Sequence, residues 1–321
     1  MSYDIIGDIH GHADALEALL GHLGYRQTGG AWRHLERQAL FVGDFIDRGP
    51  KQRESVDLVR RMVDAGSARA VMGNHEFNSI AWFTPDPKSP SEYMRRHHSS
   101  KYGDKNRRQH QAFLNAVEGT SLHKELVTWF LTLPLFLDLP ELRLIHACWY
   151  PAALAYLRPY LTSDNKLKDE TVVLGSREPD NEAEKDTPEL TVFKAVEAVL
   201  KGIEVQLPLP HKFYDKDGHE RDRVRVRWWD NEATDYRCAA MLPADERAGF
   251  PQAPIPSHAL IGHDGGKPVF MGHYWLTATP ALLSSKVACV DYSVAKGGNL
   301  VAYRWDGEPE LDNRKLEWVR P

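Results

Sequence analysis

Cysteine is scarce in this chain: Cys148, Cys238 and Cys289 are the three in 321 residues. They lie far apart, form no Cys-x-x-Cys pair and leave an odd one over, which excludes a disulfide framework and favours a reducing compartment. No apolar run approaches the roughly 20 residues that a membrane span requires. Internal repeats and low-complexity tracts are missing as well. Charge of one sign is also lacking, since 40 Lys and Arg face 45 Asp and Glu for a net −5. That balance gives no global field to draw nucleic acid, so any attraction for an anionic ligand must be local. The N-terminal Met1-Ser2-Tyr3-Asp4-Ile5-Ile6 enters a motif at once and leaves no room for a cleavable signal, so the expected location is cytoplasmic.

What is present is apolar mass and an alternating pattern. With 42% apolar residues, 9 Trp and 11 Phe, the chain can fill a sizeable core. Residues 3–6, 39–42 and 70–72 are short apolar runs, each ending at a glycine: Gly7, Gly43 and Gly73. Between them Leu16, Leu19, Leu20 and Leu23, then Val56, Val59 and Val63, keep helical spacing. Strand, loop and helix therefore alternate, and in open α/β sheets the loops after strands are where sites are built. Residues 82–110 turn polar and basic around Pro85, Pro87 and Pro90, and helices are expected near 108–118 and 122–132. Leu142–Ile145 is the next strand, ending at His146. The acidic, apolar-poor stretch 175–189 is expected to be a mobile surface loop, followed by a helix near 189–201. The last third reads as β, with strands at Val224–Trp229, Pro268–Gly272, Lys286–Asp291 and Leu300–Trp305. One domain over 1–321 is expected, with insertions at about 82–132 and 150–222.

Three motifs carry the chemistry: Gly7-Asp8-Ile9-His10-Gly11, Gly43-Asp44-Phe45-Ile46-Asp47-Arg48-Gly49 and Gly73-Asn74-His75-Glu76. Each puts oxygen or imidazole donors on a glycine-flanked turn after a strand. Two divalent ions about 3.5–4 Å apart can clamp the attacking and leaving oxygens of a phosphoryl displacement. Such a site needs a bridging carboxylate, for which Asp44 is the natural candidate, with Asp8 and His10 facing one metal and Asn74 offering a neutral oxygen. Later strands supply His146 and His273. A bridging hydroxide would be the nucleophile. His75 is placed to protonate the leaving oxygen, Asp47 to orient that histidine, and Arg48 to clamp the phosphate in a bidentate fashion.

In this order the motifs resemble the calcineurin-like metallophosphoesterases, and within them the phosphoprotein phosphatase branch. That branch includes bacterial and phage serine/threonine phosphatases and symmetrical diadenosine tetraphosphate hydrolases. The resemblance is dense over residues 1–80 and sparse afterwards. It implies a four-layer αββα sandwich with helical insertions and a dinuclear site, usually of manganese, with iron or zinc as the alternatives. It implies that Asp8, His10 and Asp44 hold one ion, and that Asp44, Asn74, His146 and His273 hold the other. Where the wider superfamily often reads Gly-His-x-His, this chain has Trp275 in the last place, as the phosphoprotein phosphatase branch also lacks that histidine. The segment Cys289–Leu300 is similar to one in bacterial dinucleoside polyphosphate hydrolases, but Asp291-Tyr292-Ser293 stands where those read Asp-Thr-Gly. The second phosphate-binding arginine of the family has no clear counterpart, and Arg227 and Arg237 are the candidates.

Several residues have blander readings. His263, in Gly262-His263-Asp264-Gly265, competes with His273 but lacks a comparable strand before it. His12 is read as a capping or surface residue, and Cys148 as a small buried hydrophobe. The pairs Trp228-Trp229 and Tyr274-Trp275 read first as core, although Tyr274 is placed to line the pocket. The basic run Arg95-Arg96-His97-His98 to His110 is either a solvated helix or a receiver for a polyphosphate, nucleotide or phosphopeptide. The expected function is metal-dependent hydrolysis of phosphomonoesters, either on phosphoserine and phosphothreonine proteins or on small molecules. A dinucleoside polyphosphate hydrolase is the alternative, and a degenerate metal-binding scaffold is the non-enzymatic one.

Overall fold

A computed structural model describes residues 1–179, 181–214 and 218–321. Asp180, inside the stretch expected to be mobile, and residues 215–217, inside the second insertion, lie outside the described residues.

Two sheets stack face to face. The first has the order β8-β9-β1-β2-β3, from strands Ser2–Ile6 (β1), Arg37–Phe41 (β2), Ala68–Ala70 (β3), Asp291–Tyr292 (β8) and Asn299–Trp305 (β9), while Leu316–Val319 (β10) also pairs with β9. The second has the order β7-β6-β5-β4, from Phe136–Asp138 (β4), Arg143–Ile145 (β5), Val269–Met271 (β6) and Val287–Cys289 (β7). β1, β2 and β3 run parallel, as do β5, β6 and β7.

Period-2 alternation decides which residue fills which layer. Ile5, Leu40, Val42, Val71, Leu144, Phe270, Ala288, Val290, Val301 and Tyr303 form one cluster between the sheets. Phe270 meets Tyr303 there with ring centroids 5.1 Å apart. Their sequence neighbours Ile6, Phe41, Ala70, Ile145, Met271, Cys289 and Ala302 point outward into the cluster shared with the helices. That cluster takes Leu16, Leu19 and Leu20 from Ala13–His22 (α1) and Val56, Val59 and Met62 from Gln52–Asp64 (α2). It also takes Leu154 from Pro151–Leu157 and Val196 and Val199 from Val192–Lys201. The expected four-layer α/β sandwich is therefore present.

Several sequence-based boundaries shift. The strand expected at Lys286–Asp291 breaks at Val290, so that β7 lies in one sheet and β8 in the other. The strand expected at Val224–Trp229 is only Arg223–Arg225 and joins neither sheet, pairing with Glu204–Gln206. Trp228 and Trp229 leave it for the core, 1% and 4% exposed, so their core reading holds. The helix expected near 108–118 divides at His110 into Gly103–Gln109 (α4) and Gln111–Val117 (α5). The acidic stretch is tied down at one end, where Asp186 accepts two hydrogen bonds from Arg223 at 2.7 and 2.9 Å. Among the described residues no helix is long and apolar enough to cross a membrane.

Candidate metal centre

The turns after the parallel strands of both sheets meet at one edge. Asp8 and His10 follow β1, Asp44 follows β2, His146 directly follows β5 and His273 lies just past β6. Asn74 and His75 open the helix Asn74–Phe83 (α3). The sheets are stitched together here by His146 Nδ1, which donates to Val42 O at 2.7 Å, while within the second sheet Gly272 N–H donates to His146 O at 2.9 Å. Two glycines allow the approach. A Cβ on Gly272 would stand 1.9 Å from Asp8 Oδ1, and one on Gly73 would stand 2.2 Å from Asp44 Oδ1.

Backbone strain concentrates at the same edge. His10, Asp44, Asp47, Arg48, His273 and Trp275 all have φ between +45° and +72°, a region that costs a non-glycine residue about 1–3 kcal/mol. The surrounding fold must hold those residues there, and it does so with hydrogen bonds. Asp8 Oδ2 accepts the His273 N–H at 3.0 Å, and Asp44 Oδ1 accepts the His75 N–H at 2.9 Å. His10 Nδ1 donates to Ile46 O at 2.9 Å.

Each of those anchors leaves a second donor atom facing its neighbours. Asp44 Oδ2 has His146 Nε2 at 3.4 Å, His10 Nε2 at 3.6 Å and His75 Nε2 at 3.9 Å. Asn74 Oδ1 has His273 Nδ1 at 2.8 Å and His146 Nε2 at 3.1 Å. Asp8 Oδ1, His10 Nε2, Asp44 Oδ2 and His273 Nε2 are buried with no hydrogen-bond partner. Two groups of the right kind for a cation emerge, His10–Asp44–His75 and Asp44–His146–His273, and Asp44 belongs to both.

The electrostatics point the same way. Burial, then repulsion from Asp291 and Asp44, pushes Asp8 well above the usual carboxylate range. Burial and the neighbouring His75 push the His10 imidazole down to about 3. Burial, with the charges of Arg225 and His146, lowers His273 well below its ordinary value. Burial opposes ionisation of Asp44 too, but His146 and His75 outweigh it and hold that carboxyl low. Bare imidazole nitrogens beside crowded carboxylate oxygens are a donor set that fits divalent cations.

Residues 1–138 match the family model described as calcineurin-like phosphoesterase. That match covers less than half of the chain, so the likeness is to its N-terminal part. The asymmetrical bis(5'-nucleosyl)-tetraphosphatase PrpE of Halalkalibacterium halodurans is 46% identical over 76 residues, which are 23% of this chain and 31% of that protein. The symmetrical bis(5'-nucleosyl)-tetraphosphatase of Psychromonas ingrahamii is 31% identical over 149 residues, 46% of this chain and 44% of that one. The chain thus spans less than half the length of each of these curated relatives. A solved cold-active protein-tyrosine phosphatase from a psychrophilic Shewanella aligns over 99% of this chain and 80% of that one, at 15% identity and a TM-score of 0.46.

The matched region holds Asp8, His10, Asp44, Asp47, Arg48, Asn74 and His75, while His146 and His273 come from beyond it. Asp47 Oδ2 accepts from His75 Nδ1 at 2.5 Å. Burial opposes protonation of His75, but Asp44 and Asp47 outweigh it and raise its pKa. Arg48 sits exposed at the mouth, its guanidinium 3.5 Å above the ring of Trp275.

Arg227 and Arg237 are not brought to this cluster. Arg227 donates to Cys238 O and pairs with Asp230 at 3.2 Å, and Arg237 donates to Phe250 O. Tyr274 packs away from the mouth, against Trp229 and with its hydroxyl toward Ala147 O. His263 bonds Lys267 O and Gly265 N instead of joining the cluster. His12 stands at the N-cap of α1 without capping it through its side chain. Cys148 is buried, and burial pushes its thiol well up, away from a nucleophile's range. The basic run disperses: Arg107 pairs with Glu118, Arg95 donates to Asn78 and Gln109, and His97 stacks between Trp82 and Tyr93.

Three further residues organise the cluster. Glu76, fully buried, accepts the backbone N–H groups of Asp44, Phe45 and Gly73, and burial and Asp44 raise its pKa to about 7. Asp291 accepts the N–H groups of Trp275 and Ser293 and so pins the loop behind His273. His110 donates to Asp47 from the far side of that carboxylate. Glu76 stands in the third motif and His110 ends the basic run, so both were visible as residues though not as roles.

Proposed function

We propose that the chain is a metal-dependent phosphoesterase that hydrolyses phosphomonoesters, with water as the direct acceptor and no phosphoenzyme. The observation that carries this reading is Asp44 Oδ2, a buried carboxylate oxygen shared by two histidine-containing groups. Asp8, His10 and Asp44 would hold one divalent ion and Asp44, Asn74, His146 and His273 the other, with manganese first and iron or zinc next. Bound there, such ions would lower the pKa of a water and neutralise charge on the phosphoryl oxygens. His75 Nε2, within the His10–Asp44 group, is the alternative donor to the first ion.

The chain's own side chains do the rest. Arg48, at the mouth, takes the phosphate oxygens in bidentate contact. Water adds to phosphorus as the ester P–O bond breaks, and His75 gives its proton to the departing oxygen. Asp47 keeps His75 Nδ1 hydrogen-bonded, so that Nε2 faces the reacting group. The chain is read as one domain, with insertions at about 82–132 and 150–222 shaping the mouth.

A second reading, hydrolysis of a dinucleoside tetraphosphate, is favoured by the activity for which both relatives above are named. One panel separates the two: phosphate or nucleotide release from p-nitrophenyl phosphate, a phosphothreonine peptide and diadenosine tetraphosphate, with added Mn²⁺ and with a chelator. Chelator-sensitive turnover of the monoesters is expected. Dominant cleavage of the dinucleotide would replace the first reading with the second, and turnover that ignores the chelator would overturn both.

A further inference from the structure

Asp47 is gripped from two sides. Its Oδ2 accepts from His75 Nδ1 at 2.5 Å, while His110 Nδ1 lies 2.8 Å from both of its carboxylate oxygens. Asp47 and His110 are each 1% exposed. His110 comes from 63 residues further along the chain. We propose that His110 is a positioning residue for the proton-transfer step, fixing the Asp47 carboxylate against His75; this inference rests on the phosphoesterase reading above.

The backbone at His110 is suited to the task. It is the corner between α4 and α5, where its N–H donates to Arg107 O at 3.0 Å and its carbonyl accepts from Leu114 N at 3.0 Å. Its ring lies 5.0 Å from Phe113 and 5.8 Å from Trp82, centroid to centroid. The imidazole therefore has little room to turn. Asp47 is in the opposite situation, on a strained turn with φ +70°. Without His110, Asp47 Oδ1 would lose its donor, and a buried carboxylate seeking another would draw Oδ2 off the His75 axis.

A purely structural role, pinning the insertion to the domain, explains less. α5 is already anchored by buried Phe113, Leu114 and Val117, and Arg53 Nε donates to Ala116 O at 2.7 Å. A buried imidazole–carboxylate contact is a poor stabiliser beside apolar packing of the same volume. What it supplies is orientation, in the way that a partner behind a liganding or catalytic histidine fixes its ring.

The test compares His110→Phe, His110→Asn, His75→Asn and the double variant His75→Asn/His110→Phe, on phenyl phosphate and p-nitrophenyl phosphate with Mn²⁺. His110→Phe is expected to lower kcat on phenyl phosphate by about 10–100-fold, with KM and bound metal unchanged. The loss should be smaller on p-nitrophenyl phosphate, whose leaving group needs little protonation. His110→Asn, which keeps an N–H donor, should recover most of the rate. The double variant should be no slower than His75→Asn. Should His110→Phe not fold, His110→Ala carries the same comparison. Losses that multiply in the double variant, or equal losses on both esters, would show a structural role and overturn the inference. A slow His75→Asn beside a wild-type His110→Phe overturns this inference alone, whereas a wild-type His75→Asn overturns the acid reading and this inference with it.

Discussion

The guanidinium of Arg48 lies 3.5 Å above the centroid of the Trp275 ring. Both residues hold left-handed backbone, φ +72° and +51°, on loops that follow strands of different sheets. The stack therefore joins the two halves of the sandwich across the mouth of the cluster and fixes the direction in which Arg48 presents its donors. A cation over an indole is worth about 0.5–2 kcal/mol. Trp275→Ala should raise KM for a phosphomonoester about 5-fold, a loss of roughly 1 kcal/mol, and lower kcat far less. An unchanged KM would mean that Arg48 does not depend on the ring.

His75 and Asp47 make the next expectation. With Nδ1 committed to Asp47, only Nε2 is available to a substrate oxygen. His75→Asn should slow turnover of phenyl phosphate by about 10²–10⁴-fold, the usual range for a lost general acid. The loss should shrink on p-nitrophenyl phosphate, and both ions should remain by elemental analysis. Loss of one ion would instead make His75 a ligand, as its place in the His10–Asp44 group allows.

A third expectation concerns stability alone. Asp4 is fully buried on β1, and its Oδ1 accepts from Arg37 Nε at 2.9 Å and Arg304 Nε at 3.2 Å. Arg37 also donates to the carbonyls of Tyr3 and Trp305, so the carboxylate sits at a junction of three strands. Removing Asp4 takes a charged acceptor from both arginines, although Arg37 keeps Asp306 and the two carbonyls. Asp4→Ala should destabilise the fold by about 1.5–3 kcal/mol in urea unfolding, with kcat and KM of the remaining folded enzyme intact. A change below about 1 kcal/mol would place Asp4 among ordinary surface pairs.

The cluster was legible in sequence where its logic is local. A strand, a glycine and a donor occur together at Asp8, Asp44 and Asn74, and a strand end alone located His146, with Gly272 added at His273. The sandwich was legible through the resemblance carried by the three motifs and the strand–loop–helix order, and Ile5/Ile6, Leu40/Phe41 and Phe270/Met271 fill its two buried faces. Roles that arise only when loops meet were not legible. Glu76 acts by accepting backbone N–H groups from a loop 31 or 32 residues earlier, and His110 acts across 63. Arg227 lies in a stretch that reads as a sheet strand, yet its neighbours pair with Glu204–Gln206 in a separate two-stranded ribbon. Pattern alone gives a strand's faces but not the sheet it joins.

The most direct test of the account is the metal content of Asp44→Asn, set beside its rate of phosphate release. Asp44 Oδ2 lies 3.4 Å from His146 Nε2 and 3.6 Å from His10 Nε2, so one substitution touches both candidate sites. Wild-type protein loaded with Mn²⁺ and freed of excess should carry two ions per chain; Asp44→Asn should carry fewer than one and release no measurable phosphate. Two tightly held ions and wild-type turnover in that variant would contradict the shared-carboxylate centre on which the functional reading stands.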